Sequence, residues 1–351
     1  MLMGVTTYVL LMDLDQFIAA VEVLRRPELV GKPVVVGGDG DPTKRGVVST
    51  ANYEARRFGI RSAMPLRTAY KRAPDAVFLP VDAEAYLAAS RDVMDTLRTF
   101  PAVVETAGWD EAFMEVETDE PEALAREIQQ AVLDRTKLWC SIGVGDNKLR
   151  AKIASGFAKP AGVYRLTREN WSEVMGGRTV DALWGIGKKT AEKLAALGIR
   201  TVDQLAGAND EEVLAARFGP NTGPWLRRLA TGEDDSPVSS ERYVPKARGR
   251  EHTYQQNITD PDEVRREVAT LARNVVDDLK EEGRPAVRII VKVRFAPFFT
   301  STHGVPLPEP TMDPDAIEAG ALAALAKFEL DRSVRLLGVR AEMAPAGTEP
   351  N

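Results

Sequence analysis

Two acidic clusters far apart in the chain carry the first chemical signal. Asp13 and Asp15 follow the apolar run Tyr8-Val9-Leu10-Leu11-Met12, and Asp110-Glu111 precedes Ala112-Phe113-Met114-Glu115-Val116. A carboxylate where an apolar strand breaks packs poorly, but it is well placed to hold a hard cation beside a phosphate. Two divalent ions about 3.5–4 Å apart need oxygens from several chain segments and suit in-line displacement at phosphorus. Taken one at a time, these acids fit solvated turns equally well.

Other segments carry phosphate chemistry. Thr50, Tyr53 and Arg56 stand three apart in Ser49-Thr50-Ala51-Asn52-Tyr53-Glu54-Ala55-Arg56, along one face of a helix and its first turn. A hydroxyl, a phenol and a guanidinium on one stripe suit a triphosphate, since arginine grips phosphate oxygens bidentately. An ordinary exposed helix face has the same spacing. From Ser141 to Gly162 a strand opens into a glycine turn and a helix bearing Lys148, Lys152 and Lys159. No Gly-Lys-Ser/Thr follows the glycines, so this is not a P-loop. Lys159, just before Pro160, leaves a helix end free to reach phosphates. Trp184-Gly185-Ile186-Gly187-Lys188-Lys189 reads as a helix-hairpin-helix, whose glycine N–H groups at Gly185 and Gly187 can hold a DNA phosphate without reading sequence. Lys188 and Lys189 add cations there; a plain helical hairpin is the alternative.

These residues need elements to place them. Strands are expected at 8–12, 33–37, 103–105, 112–116 and 139–144, with one beginning at Val47-Val48. Helices are expected at 17–24, 51–58, 83–99, 121–138 and 149–157. The mixture predicts an α+β palm built on a split βαβ unit. From Thr179 to Gly232 the chain is helical, and the polar stretch 233–246 reads as a tether. Beyond it, helices at 262–282 and 313–327 and strands at 287–295 and 336–341 form a second α+β domain. In the strand 287–295, Val287, Ile289, Val291, Val293 and Phe295 alternate inward, while Arg288, Lys292 and Arg294 share the other face with Ile290. A basic face can lie along a nucleic-acid backbone; Arg248 and Arg250 are expected to add to it.

Bulk properties set limits. The 351 residues carry 46 Lys and Arg against 52 Asp and Glu, a formal charge of −6, so nucleic-acid contact must come from local patches. One cysteine excludes an internal disulfide and a cysteine-rich zinc site, and two histidines make a histidine–metal cluster a poor expectation. No apolar run reaches about 18–20 residues and no leader is evident, so a cytoplasmic protein without membrane contact is expected.

In order, the motifs Asp-Leu-Asp-Gln-Phe-Ile-Ala-Ala-Val-Glu, Thr-Ala-Asn-Tyr-Glu-Ala-Arg, Gly-Ile-Arg-Ser-Ala-Met-Pro, Asp-Glu-Ala-Phe, Asn-Lys-Leu-Arg-Ala-Lys-Ile-Ala-Ser, Ala-Lys-Pro-Ala-Gly, Gly-Ile-Gly-Lys-Lys-Thr, Arg-Glu-His-Thr-Tyr and Arg-Leu-Leu-Gly-Val-Arg resemble a Y-family DNA polymerase of the DinB (polymerase IV) branch. The resemblance runs from about Val9 to Arg340. It implies a ferredoxin-like palm (1–24 and 83–178), fingers (25–82), a helix-hairpin-helix thumb (179–235), a linker (236–246), an α+β little finger (247–343) and a disordered tail (344–351). By resemblance Asp13, Asp110 and Glu111, with the Leu14 carbonyl, hold two divalent ions, Mg²⁺ or Mn²⁺. Phe17, Ile18, Thr50, Tyr53, Arg56 and Lys159 would meet the incoming nucleotide. Gly185, Gly187, Lys188, Lys189, Arg248, Arg250, Arg288, Lys292 and Arg294 would meet primer–template DNA. Small residues at Ser49 and Ala63 would leave room over the nascent pair, giving low-fidelity lesion bypass by a monomer.

Three departures from the family pattern stand out. Ile18 stands where relatives usually carry an aromatic residue that meets the ribose 2′-hydroxyl, so ribonucleotides are expected to be accepted alongside dNTPs. Gly108-Trp109 replaces a small pair before Asp110, with Trp109 expected to fill core. The tail lacks a Gln-x-x-Leu-Phe-like peptide for a sliding clamp, so processivity is expected to be low. The competing readings are a non-catalytic DNA-binding scaffold and a nucleotidyl cyclase, for which a helix-hairpin-helix would have no use.

Overall fold

The computed structural model describes residues 6–208 and 211–345. The chain divides into two compact units, one ending at Glu241 and one beginning at Arg242, with Thr43–Arg45 grouped with the second.

The first unit is built on a five-stranded sheet. Its strands are β1 (Thr7–Leu14), β5 (Val103–Thr106), β6 (Glu111–Glu117), β7 (Cys140–Gly145) and β8 (Val163–Arg165), in the order β5-β6-β1-β7-β8. All neighbours are antiparallel except β7 and β8. With helices α4 (Ala83–Leu97) and α5 (Pro121–Thr136), the run β1-α4-β5-β6-α5-β7 is the split βαβ arrangement of a ferredoxin-like palm. β1 lies in the middle, so its apolar residues are buried on both faces. Leu10, Met12 and Leu14 pack with Tyr86, Val93, Ile128 and Val132 of α4 and α5. Val9 and Leu11 take the opposite face with Phe113 and with Ala151 of α6 (Lys148–Ala158). The two-residue period of a strand therefore turns Asp13 towards α6.

The glycines near the end of the palm belong to β7 itself rather than to a turn after it. A Cβ on Gly143 would stand 2.1 Å from the Ala151 carbonyl oxygen, so glycine lets α6 lie directly on the strand. Asn147 caps α6 through the Arg150 N–H at 2.9 Å. Helix α1 (Phe17–Arg25) is fastened to α4 by buried Glu22, which accepts the Tyr86 hydroxyl at 2.7 Å.

The fingers segment forms a small sheet, β3-β2-β4, from β2 (Val34–Val36), β3 (Thr50–Ala51) and β4 (Val77–Leu79). Helices α2 (Tyr53–Arg56) and α3 (Leu66–Arg72) complete it around Val35, Val48, Ile60 and Leu66. The helix expected over 51–58 is a single turn, because Thr50 and Ala51 pair with Val36 and Val35 and Asn52 caps the helix instead of entering it. The thumb comprises α7 (Trp171–Met175), α8 (Lys188–Ala195), α9 (Val202–Ala206), α10 (Glu211–Phe218) and α11 (Thr222–Ala230). They share a core with Leu149 and Ile153 of α6.

The stretch expected as a tether is irregular but anchored at its start. Val238 is buried against the palm, and the Ser239 N–H reaches Glu105 at 2.7 Å.

The second unit is a four-stranded antiparallel sheet, β11-β10-β12-β9, from β9 (Ala247–Ile258), β10 (Ala286–Phe295), β11 (Phe299–Thr311) and β12 (Val334–Met343). Helices α12 (Pro261–Glu282) and α13 (Pro314–Leu325) cover one face. Each begins with an Asp–Pro pair, Asp260-Pro261 and Asp313-Pro314, as a helix start requires. Ala286 takes the inward place expected of Val287, because the pairing register shifts between Ala286 and Arg288; alternation then holds from Ile289 to Phe295. Order also continues past 343: Ala344 is buried and its N–H donates to the Pro285 carbonyl at 2.9 Å. Residues 346–351 of the expected tail lie outside the described residues.

Candidate active site

Asp13 on β1 faces Glu111 on β6 as a direct register pair, and the Leu14 N–H donates to the Asp110 carbonyl at 2.8 Å. The two acidic clusters of the sequence thus meet at one end of adjacent central strands. Burial first, then the charges of Asp13 and Glu111, raise the Asp110 pKa above the ordinary carboxylate value. Three acids this close repel one another, and positive charge must balance them.

Two lysines from α6 and its C-terminus supply part of that charge. Lys159 Nζ donates to Asp13 Oδ1 at 2.5 Å. Lys152 Nζ lies 3.4 Å from Asp13 Oδ2 and forms a short bond to Glu111 Oε2. Burial lowers the Lys152 pKa, but the Glu111 hydrogen bond and the Asp13 and Glu111 charges outweigh it, and the net direction is up. Lys148 turns away to Glu105 at 2.6 Å. The Lys148–Lys152 spacing was visible in the sequence, but which lysine reaches the acids depends on how α6 lies on β7.

The donor set matches a hard divalent cation in kind, being all carboxylate oxygen, with burial and the neighbouring acids outweighing Lys159 at Asp110. Among the described residues, however, no group of three or more His, Cys, Asp or Glu side chains is arranged to hold a metal ion as it stands. Lys152 and Lys159 engage Asp13 and Glu111 instead.

Of the nucleotide residues expected from the sequence, Lys159 meets Asp13 and Tyr53 meets Asp15. The Tyr53 hydroxyl donates to Asp15 Oδ1 at 2.9 Å, and the Arg56 guanidinium lies 5.1 Å from the Tyr53 ring centre. Arg56 Nε is held by the Ala51 carbonyl at 2.9 Å. Thr50 sits on β3 rather than on the helix face that its spacing suggested. Phe17 and Ile18 open α1, and Ile18 is 8% exposed within the palm core. Ser49 and Ala63 are both exposed, joined through Ser62 Oγ to the Ser49 carbonyl and the Ala63 N–H to the Val48 carbonyl.

Trp109 corrects an expectation. It is 46% exposed on the loop before Asp110 and fills no core. The loop is short and its Ala107 and Gly108 N–H groups both turn back to the Glu111 carbonyl, which leaves the indole no interior to enter.

In the thumb, Gly185 has φ +99°, a conformation that favours glycine, and Gly187 is the N-cap of α8. The helix expected before this turn is only one 3₁₀ turn, Val180–Ala182. Lys188 is almost wholly exposed. In the second unit, Arg288, Lys292 and Arg294 lie on the helix-free face, where Lys292 pairs with Glu251 at 2.7 Å and Arg294 with the Thr300 hydroxyl at 2.8 Å. Arg248 and Arg250 do not join that patch. They bond Glu282 and Asp278 of α12 (Nε distances of 2.8 Å each), because their register partners on β12, Ala341 and Val339, point to the helix side.

A ferredoxin-like palm with acids on its two central strands, a small fingers sheet, a helix-hairpin-helix thumb and a further α+β unit define the architecture of a Y-family DNA polymerase. Comparison with known proteins agrees. The impB/mucB/samB family matches residues 12–156, its HHH motif residues 168–199 and its C-terminal domain residues 245–349. The chain belongs to this family, in the DinB (polymerase IV) branch, and is a DNA-directed DNA polymerase of the translesion type. It is 50% identical to DNA polymerase IV 2 of Mycobacterium tuberculosis, over 96% of this chain and 98% of that protein. It is 38% identical to DNA polymerase IV of Methanoculleus marisnigri, over 97% and 95%. Among solved structures, a Dbh-Dpo4-Dbh Y-family polymerase chimera superposes with a TM-score of 0.84 at 27% identity, covering 95% of this chain and 98% of its own. An insertion ternary complex of Dbh DNA polymerase gives 0.67 at 27% identity, over 96% and 98%. No helix among the described residues is long and apolar enough to cross a membrane.

Proposed function

We propose that this polymerase extends primer–template DNA by two-metal nucleotidyl transfer and that its Ile18 sugar gate admits ribonucleotides. The observation that carries the reading is the pairing of Asp13 with Glu111 beside Asp110, with Lys159 and Lys152 on the same acids. Asp13, Asp110, Glu111 and the Leu14 carbonyl are the groups that would hold Mg²⁺ or Mn²⁺, which when bound lower the primer hydroxyl's pKa and neutralise the departing pyrophosphate. Lys159 and Arg56 supply positive charge for the triphosphate, and Thr50 adds a hydroxyl. Lys152 orients Glu111. Gly185, Gly187, Lys188 and Lys189 hold a duplex backbone, and Arg288, Lys292 and Arg294 the template side, without reading bases.

By resemblance, Ile18 stands where relatives usually carry an aromatic residue. An apolar pocket rejects an added hydroxyl only weakly, by about 10² when nothing clashes. Ser49 and Ala63, small and exposed, leave room above the nascent pair for damaged bases.

Single-nucleotide primer extension with matched dNTP and rNTP, with Asp110→Ala as the blank, tests the reading. Both nucleotides should extend the primer, and the variant should lose synthesis by about 10³-fold or more while binding DNA unchanged. Extension by dNTP alone would remove the sugar-gate reading. Synthesis by Asp110→Ala would remove the two-metal one.

A further inference from the structure

Asp15 lies two residues beyond Asp13 but serves a different set of groups. It is 3% exposed, and its hydrogen-bond partners are all uncharged. Oδ1 accepts from the Tyr53 hydroxyl at 2.9 Å and Ser141 Oγ at 3.0 Å. Oδ2 accepts the Ala161 N–H at 2.7 Å and lies 3.1 Å from the same Ser141 Oγ. The donors come from three places: the start of α2, strand β7, and the turn two residues after Lys159. The neighbouring Gln16, in the left-handed region at φ 48°, accepts the Tyr53 N–H at 2.5 Å. Tyr53 is thus held at both its backbone and its hydroxyl by consecutive residues at the β1–α1 junction.

Burying a carboxylate is unfavourable unless donors offset the lost water. Here the donors do so by tying the two segments that carry Tyr53 and Lys159 to one atom group. The phenol has one proton to donate, and its hydrogen bond goes to Asp15. These two bonds hold the Tyr53 ring in place, while Lys159 and Arg56 provide charge.

We infer that Asp15 is a positioning residue for the incoming nucleotide: its carboxylate fixes the spacing between Tyr53 and the Lys159–Ala161 turn before the nucleotide arrives. The inference rests on the reading of Tyr53 and Lys159 as nucleotide contacts. Asn in its place keeps the size but offers an N–H₂ where one arm needs an acceptor.

The test is dNTP affinity for the full-length enzyme on dideoxy-terminated primer–template, together with kcat and KM for single insertion and DNA affinity. Asp15→Asn should weaken dNTP binding and raise KM about 10- to 100-fold, the size of one charge-assisted hydrogen bond. DNA affinity should stay within about twofold and kcat should change less than KM. Tyr53→Phe, which keeps the ring, should weaken dNTP binding about tenfold, and the double variant should fall short of the product of the two. A merely structural Asp15 would instead lower Tm and the active fraction with dNTP affinity unchanged, and that result overturns the inference. Effects of Asp15→Asn and Tyr53→Phe that multiply independently also overturn it. Should Asp15→Asn fail to fold, unchanged dNTP affinity in Tyr53→Phe is sufficient to reject it. Failure of the nucleotide-contact reading is separate, since it would appear as unchanged dNTP affinity in Lys159→Ala and Arg56→Ala.

Discussion

Asp110 stands in an environment that disfavours its charge. Burial and the charges of Asp13 and Glu111 raise its pKa, so the folded state resists its ionisation. The sign follows: between the unfolded and the raised folded pKa the native state binds more protons, and stability falls as pH rises through that window. In chelator at neutral pH, Asp110→Asn should therefore have a higher Tm than the parent. Added Mg²⁺ or Mn²⁺ should raise the parent's Tm and leave the variant's nearly unmoved, which calorimetry at two ion concentrations would read. A parent whose Tm ignores the ion would speak against a site formed by these acids. Ile18 carries a second prediction at this scale. Ile18→Phe should raise the dNTP over rNTP ratio in kcat/KM by about 10² or more, and a ratio as large in the parent would reject the gate. Cys140 offers a control on folding, since burial and the nearby Asp15 and Asp13 push its thiol up to about 12. It should resist alkylation at pH 8 until the protein unfolds.

At the scale of elements, contact between α6 and β7 decides which lysines reach the acids. Gly143 permits that contact, and an added methyl would meet backbone atoms of α6 that have nowhere to go. Gly143→Ala should destabilise the protein by about 3 kcal/mol or more and lower activity with it, whereas Gly156→Ala, in open space on the same helix, should not. The thumb turn depends on its own glycine. A Cβ on Gly185 would lie 3.0 Å from the Trp225 ring, in a backbone conformation that side chains avoid. Gly185→Ala should weaken duplex binding, measured by fluorescence anisotropy, without altering single-nucleotide discrimination. The basic face of β10 is smaller than the sequence suggested, because Arg248 and Arg250 are turned to acids of α12.

For the whole molecule, two units with separate apolar cores and the irregular stretch before Ala247 predict two unfolding events. Limited proteolysis should cut between Ser240 and Pro245, beyond the anchored Val238 and Ser239, and leave a folded C-terminal fragment. A net charge of −6 means that DNA is held by local cations against an unfavourable background. Affinity should therefore fall steeply with salt, with a log–log slope set by the few phosphates contacted. Arg288→Ala and Lys292→Ala should each shallow that slope by about one if they meet phosphates.

The order of motifs in the sequence determined the family, the palm acids and most long elements. The continuous apolar run of β1, the alternation of β10 and the Asp–Pro helix starts are all local signals, each written within about ten residues. What the sequence left open depends on residues far apart meeting. Short strands such as β3, β4 and β8 carry too few residues to show a period, and β9 and β11 have polar, half-exposed patterns that hide them. The face taken by Arg248 is fixed by its register with Ala341, which lies over 90 residues away. Trp109 is outside because its loop is too short to fold it inward. Only the tertiary structure brought Asp15 to Tyr53, Ser141 and Ala161, since a carboxylate's partners are chosen by three-dimensional proximity and no spacing along the chain records them.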